Sequence, residues 1–330
     1  MSYKKKLSNI LNINTKTPGL SIIFLKDGRL CSCSPYTSAK IYNKRTYNID
    51  LILKEIYAKK QIQLSNGYIL FICGEGIKIV ELIEKNKYDI IQTVVPADNY
   101  FFNDMIEIND NRFITNGFYS FINKIRIWEL DEAFDKYLCV GLKKNLHLIS
   151  NIIYILDKNE ISSVCKDKNH NMIKFWKIDE ENNLKEISEI KLNKLSDCEI
   201  YIYKSNKYLK IIINNLIYFV NYNKYEIIYI YKINNNDYNY TREIELANGN
   251  YLVSNLTKDA MHEYKFSLIE YKYESKNIET INIFPNIFGE IILEYKFWGQ
   301  CERGIKVIEL KNKFLLIYNN DGYLKFYKSD

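Results

Sequence analysis

One phrase recurs seven times along this chain: an apolar residue, a polar Asp/Asn/Gly turn, an apolar strand, a variable loop, and a further strand ending in an aromatic. One copy reads Leu25-Lys26-Asp27-Gly28-Arg29-Leu30, then Cys31 to Ser34, then Ala39-Lys40-Ile41-Tyr42. In another, Leu64-Ser65-Asn66-Gly67-Tyr68 leads through Ile69-Leu70-Phe71 and Gly74-Glu75-Gly76 to Ile77-Lys78-Ile79-Val80. Self-similarity at a spacing of tens of residues confines a chain to a propeller, solenoid or array, because each unit is too small to bury its own apolar face and must stack on the next. The turns joining the first two strands of each unit are Asp27-Gly28, Asn66-Gly67, Asp110-Asn111, Lys158-Asn159, Ser205-Asn206, Asn248-Gly249 and Lys311-Asn312, separated by 39, 44, 48, 47, 43 and 63 residues. All but the last step lie close to the ~40 to 50 residues that four strands of a propeller blade take up. An insertion, Pro285 to Gly304, lengthens the last one.

Within each unit the strands come in the same order. The third offers Asp104 to Ile108, Arg112 to Asn116, Lys124 to Leu130 and Tyr137 to Leu142, and the fourth Ile152 to Leu156, Ile161 to Lys166, Met172 to Ile178 and Leu184 to Leu192. Short runs rich in β-branched and aromatic residues, bounded by Asn, Asp and Gly, are strand signals. A helical period is nowhere sustained; the nearest approach is a single turn at Asp131-Glu132-Ala133-Phe134. The expected fold is all-β: a seven-bladed β-propeller of four-stranded antiparallel blades, with residues 1–330 in one domain. The last unit supplies only Lys306 to Leu310, Phe314 to Tyr318 and Leu324 to Lys328. Because an open sheet edge invites aggregation, Lys6 to Asn14 is expected to close the ring as the outer strand of the last blade.

Composition narrows the function classes. Hydrophobic residues at 47% and aromatics at 15% suffice for a core, and 29 Tyr against 4 Pro favour strands over disordered linker. Heavy use of Ile, Lys, Asn and Tyr is also what AT-rich coding writes at tolerant positions, which lowers the weight of any single Lys or Asn. The net charge of +6 arises from 46 basic and 40 acidic residues, with Arg at 29, 45, 112, 126, 242 and 303, and no linear basic stretch beyond Lys4-Lys5-Lys6. A specific nucleic-acid partner is not expected from that distribution. Polar residues interrupt Leu7 to Asn12, so no secretory segment is read there, and apolar runs stop short of the ~20 residues a membrane-spanning helix needs. Seven scattered cysteines suit reduced core thiols, with Cys31 and Cys33 on one side of a strand, and a cytoplasmic location is expected.

With the anchors aligned, the units resemble degenerate repeats of the WD-repeat β-propeller family over about residues 20 to 330. Ile125-Arg126-Ile127-Trp128 and Ile173-Lys174-Phe175-Trp176 carry the resemblance, with Tyr42, Tyr271 and Tyr327 taking the aromatic place elsewhere. Glu129 follows Trp128 and Lys177 follows Trp176, so the signature Asp is missing, as is the usual Gly-His. The family's buried network of His, Asp, Ser and Trp is therefore not carried over.

Linear motifs for chemistry are sparse. His147, His170 and His262 have no Cys or His at metal-ligand spacing, so neither metal nor cofactor is expected. Gly74-Glu75-Gly76 lacks the downstream glycine of a phosphate loop and reads as a tight turn, while Cys301-Glu302-Arg303-Gly304 lacks the second arginine of a phosphoinositide motif. The resemblance implies that loops between second and third strands share a face with the loops joining blades, and loops on a rigid scaffold are where binding concentrates. Candidate contacts are Phe118, Tyr119 and Phe121 in Gly117 to Ile122, Tyr100 in the connector Pro96 to Phe102, Lys168 and His170 in Lys166 to Asn171, His262 and Tyr264 in Lys258 to Lys265, and Trp298 in the insertion. Aromatic anchors favour a non-enzymatic scaffold that binds a protein or peptide, as a monomeric ring or as a subunit of a larger complex. The alternative is a propeller hydrolase or lectin-like module holding a small polar ligand in its channel.

Overall fold

The structure, a computed structural model, describes all residues except 1–6, 15–20, 85, 96–100, 110, 120–121, 147–148, 156–158, 167–170, 193–199, 205–207, 214–215, 233–237, 246–250, 258–263, 273–276, 285–305, 311–313, 319–322 and 330. Among the described residues it is all strand and turn, arranged as seven four-stranded antiparallel sheets. Strands a to d of the first are Ser21–Phe24, Leu30–Ser34, Thr37–Tyr42 and Ile49–Leu53, and of the second Ala58–Gln63, Ile69–Cys73, Ile77–Glu84 and Lys87–Val94. The third comprises Phe101–Asn109, Arg112–Tyr119, Ile122–Asp131 and Lys136–Leu146, and the fourth Ile149–Ile155, Glu160–Lys166, Asn171–Ile178 and Leu184–Leu192. In the fifth they are Ile200–Lys204, Leu209–Ile213, Leu216–Asn221 and Glu226–Lys232, and in the sixth Tyr238–Glu245, Tyr251–Thr257, Tyr264–Lys272 and Asn277–Phe284. The last sheet joins Lys306–Leu310, Phe314–Tyr318 and Tyr323–Ser329 to Leu7–Asn14 from the other end of the chain.

From the first sheet to the sixth, each a strand contacts the a strand of the next, so these lie toward a common axis with the d strands outside. Burial explains the residue choice. The second sheet packs on the first by one face and on the third by the other, so Ile69–Cys73 is buried at every position and reads as a continuous run rather than an alternating one; Leu30–Ser34 is likewise buried throughout. The outer strand Lys87–Val94 is buried only at Val94. Apolar clusters fill the spaces between the first and second, second and third, third and fourth, and fourth and fifth sheets. Cys31 and Cys33 both belong to the first of these, as expected of core thiols. The Asp27-Gly28 and Asn66-Gly67 anchors are tight turns in which Gly28 (φ +86°) and Gly67 (φ +101°) adopt a backbone conformation costly to any residue with a Cβ.

One register repeats through the sheets. The residue at the signature aromatic place of strand c pairs with the first core position of strand b: Tyr42 with Leu30, Val80 with Ile69, Trp128 with Phe113, Trp176 with Ile161, and Val220 with Leu209. In the sixth sheet that place falls to Ile269, opposite Tyr251, and not to Tyr271 as the sequence suggested; Tyr271 lies two residues further on. Two residues along strand b stands the partner of the aromatic. The Trp128 indole N–H donates to Thr115 Oγ1 at 2.9 Å, the Trp176 indole to Ser163 Oγ at 2.8 Å, and Ser32 Oγ to the Tyr42 hydroxyl at 3.3 Å. Each tryptophan of strand c thus finds a hydroxyl acceptor on strand b. Where strand c carries an aliphatic, Val80 or Val220, the strand b position is apolar too, Phe71 or Ile211. A buried polar group without a partner is costly, and in these first five sheets the two positions switch character together.

A second register feature marks the outer strands. Each bulges by one residue beside the aromatic place, at Asp50, Ile91, Val140, Ile187, Ile228 and Ile281, and Leu7–Asn14 does so at Ile10 opposite Tyr327 and Phe326. A bulge increases local twist and makes an exposed edge a poor template for pairing with another chain. The possible helical turn at Asp131 is instead a β-turn, with Phe134 N–H donating to Asp131 O at 3.2 Å.

Candidate interaction face

In up-and-down sheets the b–c turns and the d–a links lie at one end and the a–b and c–d turns at the other. Among the described residues the first end carries four exposed aromatics, Tyr36, Tyr57, Phe101 and Phe118. Tyr36 stands in the b–c turn of the first sheet, Tyr57 in the link to the second, and Val95 at the end of strand d of the second; all three are exposed, Tyr36 by 71%. In the third sheet Phe101 opens strand a and Phe118 nears the end of strand b. They are register partners, with ring centroids 6.0 Å apart and planes inclined at 37°. Phe101 is 57% and Phe118 43% exposed, so the pair rests on itself and leaves much of both rings in solvent.

The sequence placed Phe118 and Tyr119 in a loop and Phe101 in a connector. All three lie on strands instead, because Phe101–Asn109 begins earlier and Arg112–Tyr119 ends later than the apolar pattern indicates. Tyr264, likewise, is the first residue of a strand. Tyr100, Phe121, Lys168, His170, His262 and Trp298 fall outside the described residues. Phe101 was missed as Phe118's partner because their pairing depends on a bulge at Asn103 that shifts strand a by one residue.

Three residues along its strand from Phe101 stands Asp104, where charges of two sheets meet. Strand a of the second sheet bulges at Lys59, and its Lys60 ammonium forms an ion pair with Asp104 of the third, whose register partner is Asn116. Desolvation, the largest influence, pulls the Lys59 ammonium below its ordinary range; Asp104 opposes this and Lys60 adds to it. The Gly74-Glu75-Gly76 turn is rigid, for Cys73 N–H donates to Gly76 O at 2.8 Å and a Cβ on Gly76 would lie 2.1 Å from Val94 O. Lys78 pairs with Glu75 at 2.8 Å and donates to Glu55 O at 2.8 Å, fastening this turn to the link that carries Tyr57. The hydrogen bond from Lys78 lowers the Glu75 carboxyl, and the same bond raises the Lys78 ammonium. Among the described residues no three His, Cys, Asp or Glu side chains gather as a metal site would require.

Sheets are also tied together below the face. Gln92 accepts from Tyr137 N–H at 2.7 Å and donates to Tyr137 O at 3.0 Å, a side-chain imitation of strand pairing between the second and third sheets. Gln61 donates to Ser21 O at 3.1 Å and Cys31 O at 2.7 Å between the first and second. The frame holding the aromatic pair is therefore fixed on one side by polar contacts as well as by packing.

No family model matches the sequence, and no curated protein matches it. Among solved structures the chain is similar to the WD40 beta propeller domain of Doa1, at 12% identity with a TM-score of 0.60, covering 98% of this chain and 97% of that one. It is similar also to Saccharomyces cerevisiae Sqt1, at 8% identity with a TM-score of 0.62, covering 98% of each chain. At so low an identity the likeness speaks to architecture, and what it shows is a propeller-like arrangement of four-stranded antiparallel sheets.

Proposed function

We propose that the chain is a single-domain, seven-bladed propeller acting as a non-enzymatic scaffold, which holds a protein or peptide against the end bearing Phe101 and Phe118. One observation carries the binding reading: two large aromatic side chains, register partners on neighbouring strands, expose about half their surface, and the strand that holds Phe101 also holds Asp104 of an ion pair linking two sheets. Aromatics held this way bury much area on binding at little entropic cost, which is what an interface anchor requires. The fitting ligand is a segment presenting an apolar side chain to the rings and a carboxylate to Lys59. Tyr100, Tyr119 and Phe121 are proposed to extend the same surface.

Ring closure by Leu7–Asn14 is supported by its bulge. Six other outer strands carry theirs at the same place, and a strand from the far end of the chain repeats it against Tyr327. The Pro285 to Gly304 insertion is proposed to precede the last blade, and the site of action to be cytoplasmic. A small-ligand reading has one observation in its favour, the Lys59, Lys60 and Asp104 cluster on the a strands. Lys60 and Asp104 are engaged with each other, which leaves little there for a sugar or a scissile bond.

The test is affinity capture with intact protein and with a Phe101→Ser, Phe118→Ser variant. The rings rest on each other, so removing the pair should cost about 1 kcal/mol, a fall of only about 1–2 °C in a chain of this length. Loss of a partner from a variant that melts like the parent supports the reading; retention of every partner overturns it.

A further inference from the structure

At the opposite end, the a–b and c–d turns of the first sheet enclose a cleft of about 440 Å³ lined by Asp27, Arg29, Asn43, Lys44, Arg45 and Asp50. Its walls are built by local hydrogen bonds. Asn43 Oδ1 accepts from the N–H groups of Arg45 (2.9 Å) and Thr46 (3.1 Å), Asn43 N–H donates to Asn48 O at 2.8 Å, and Tyr47 N–H to Asn43 O at 2.9 Å. Both carboxylates are committed inside the cleft. Asp27 accepts from Arg29 Nε at 2.7 Å and Arg29 N–H at 2.9 Å, while Asp50 accepts from Asn43 Nδ2 at 3.3 and 3.2 Å. Among the described residues Lys44 reaches only a backbone carbonyl, Asp27 O at 3.5 Å, and the Arg45 guanidinium has no ion-pair partner.

Two comparisons within the molecule make these cations distinctive. Of 46 basic residues only six are arginine, and two of the six line this one cleft. In a chain that writes lysine almost everywhere, arginine marks positions where a planar, multiply donating group matters. The same side-chain-capped c–d turn recurs in three other sheets, with Asp131 accepting from Ala133 N–H, Asp179 from Glu181 N–H and Asn221 from Asn223 N–H. Where the first sheet has Lys44-Arg45, those turns have Glu132-Ala133, Glu180-Glu181 and Tyr222-Asn223. The turn needs its cap; it does not need the cations.

We propose that this cleft binds a phosphate monoester, with Arg45 and Lys44 as its principal ligands. Arg45 supplies the fork geometry that phosphate oxygens match, Lys44 supplies a second charge, and the Arg29–Asp27 pair braces one wall. The cleft is independent of the aromatic face, and neither reading depends on the other.

The test is titration of the full chain, by calorimetry at low ionic strength, with inorganic phosphate and with a short phosphoserine peptide beside its unphosphorylated form. Parent protein, Arg45→Gln and Lys44→Gln are compared. Saturable phosphate binding that weakens at least about tenfold in Arg45→Gln supports the proposal. Tighter binding of the phosphopeptide would assign the phosphate to a polypeptide, and equal binding to a small molecule. No saturable binding, or binding indifferent to both substitutions, overturns it; both side chains are exposed, so a folding defect does not confound the result.

Discussion

Replacing Thr115 by Val tests the reasoning about strand register directly. Thr115 is fully buried and its hydroxyl accepts the Trp128 indole N–H at 2.9 Å, in a pocket where Phe113 stacks on the indole with centroids 6.0 Å apart. Valine keeps the shape and removes the acceptor, leaving a buried N–H unsatisfied at a cost of about 1–3 kcal/mol. Taking about 2 kcal/mol, and an unfolding entropy of about 2.1 cal/mol/K per residue over a chain that unfolds as one unit, the midpoint should fall by about 3 °C. The second half of the test is Trp128→Phe in the Thr115→Val background. Phenylalanine has no donor, so the two losses should be less than additive, with a coupling of about 1 kcal/mol or more. The second and fifth sheets already contain this apolar pairing, as Val80 with Phe71 and Val220 with Ile211. Calorimetry on the parent, two single variants and the double variant measures it. A Thr115→Val midpoint within 1 °C of the parent, or full additivity, would refute the claim that a donor–acceptor requirement links the two positions.

Alkaline stability should report on Tyr137, whose hydroxyl is pushed up to about 12 chiefly by burial, with the 2.8 Å hydrogen bond from Asn66 pulling the other way. A folded value above the unfolded value of about 10 means its contribution is complete below pH 10 and is lost as pH rises toward 12. Tyr137→Phe should therefore flatten the fall in melting temperature across that window, and an unchanged slope would remove Tyr137 from the account. Deleting residues 1–14 should leave Tyr323–Ser329 as an exposed edge, lower the melting temperature by several degrees and promote aggregation; a truncated chain that melts like the parent would sink the proposed ring closure.

Strand order and turn chemistry were readable because both are local. Asp27-Gly28 and Asn66-Gly67 announce their turns through the φ that only glycine takes easily, and fully buried strands such as Ile69–Cys73 announce themselves as unbroken apolar runs. The bulges were not readable, since an inserted residue such as Val140 or Ile187 has the same character as the ladder residues around it. The pairing of Tyr251 with Ile269 puts the aromatic place two residues before Tyr271, and an unseen bulge brought Phe101 opposite Phe118. Contacts between sheets, such as Lys60 with Asp104 and Gln92 with Tyr137, join residues tens of positions apart and leave no trace in either neighbourhood.

A repeat protein provides its own comparison set, and that separates what the fold demands from what it does not. Asn43, Asp131, Asp179 and Asn221 share a short polar side chain because each must accept backbone N–H groups at a c–d turn, and each turn then passes through a residue of positive φ: Tyr47, Asp135, Asn182 or Tyr225. Residues that recur at equivalent places are therefore explained by geometry common to all sheets. Those that do not recur need another reason. The strand b position held by Phe118 in the third sheet is Pro35, Gly74 or Lys166 in the first, second and fourth, and the place of Arg45 is Ala133, Glu181 or Asn223 elsewhere. Neither side chain is needed to build a sheet that its neighbours build without it, and both are exposed where strands end and a ligand has access. Residues singular among the repeats and exposed at either end are accordingly where binding is to be sought, and Phe118 and Arg45 satisfy both conditions at opposite ends of the sheets.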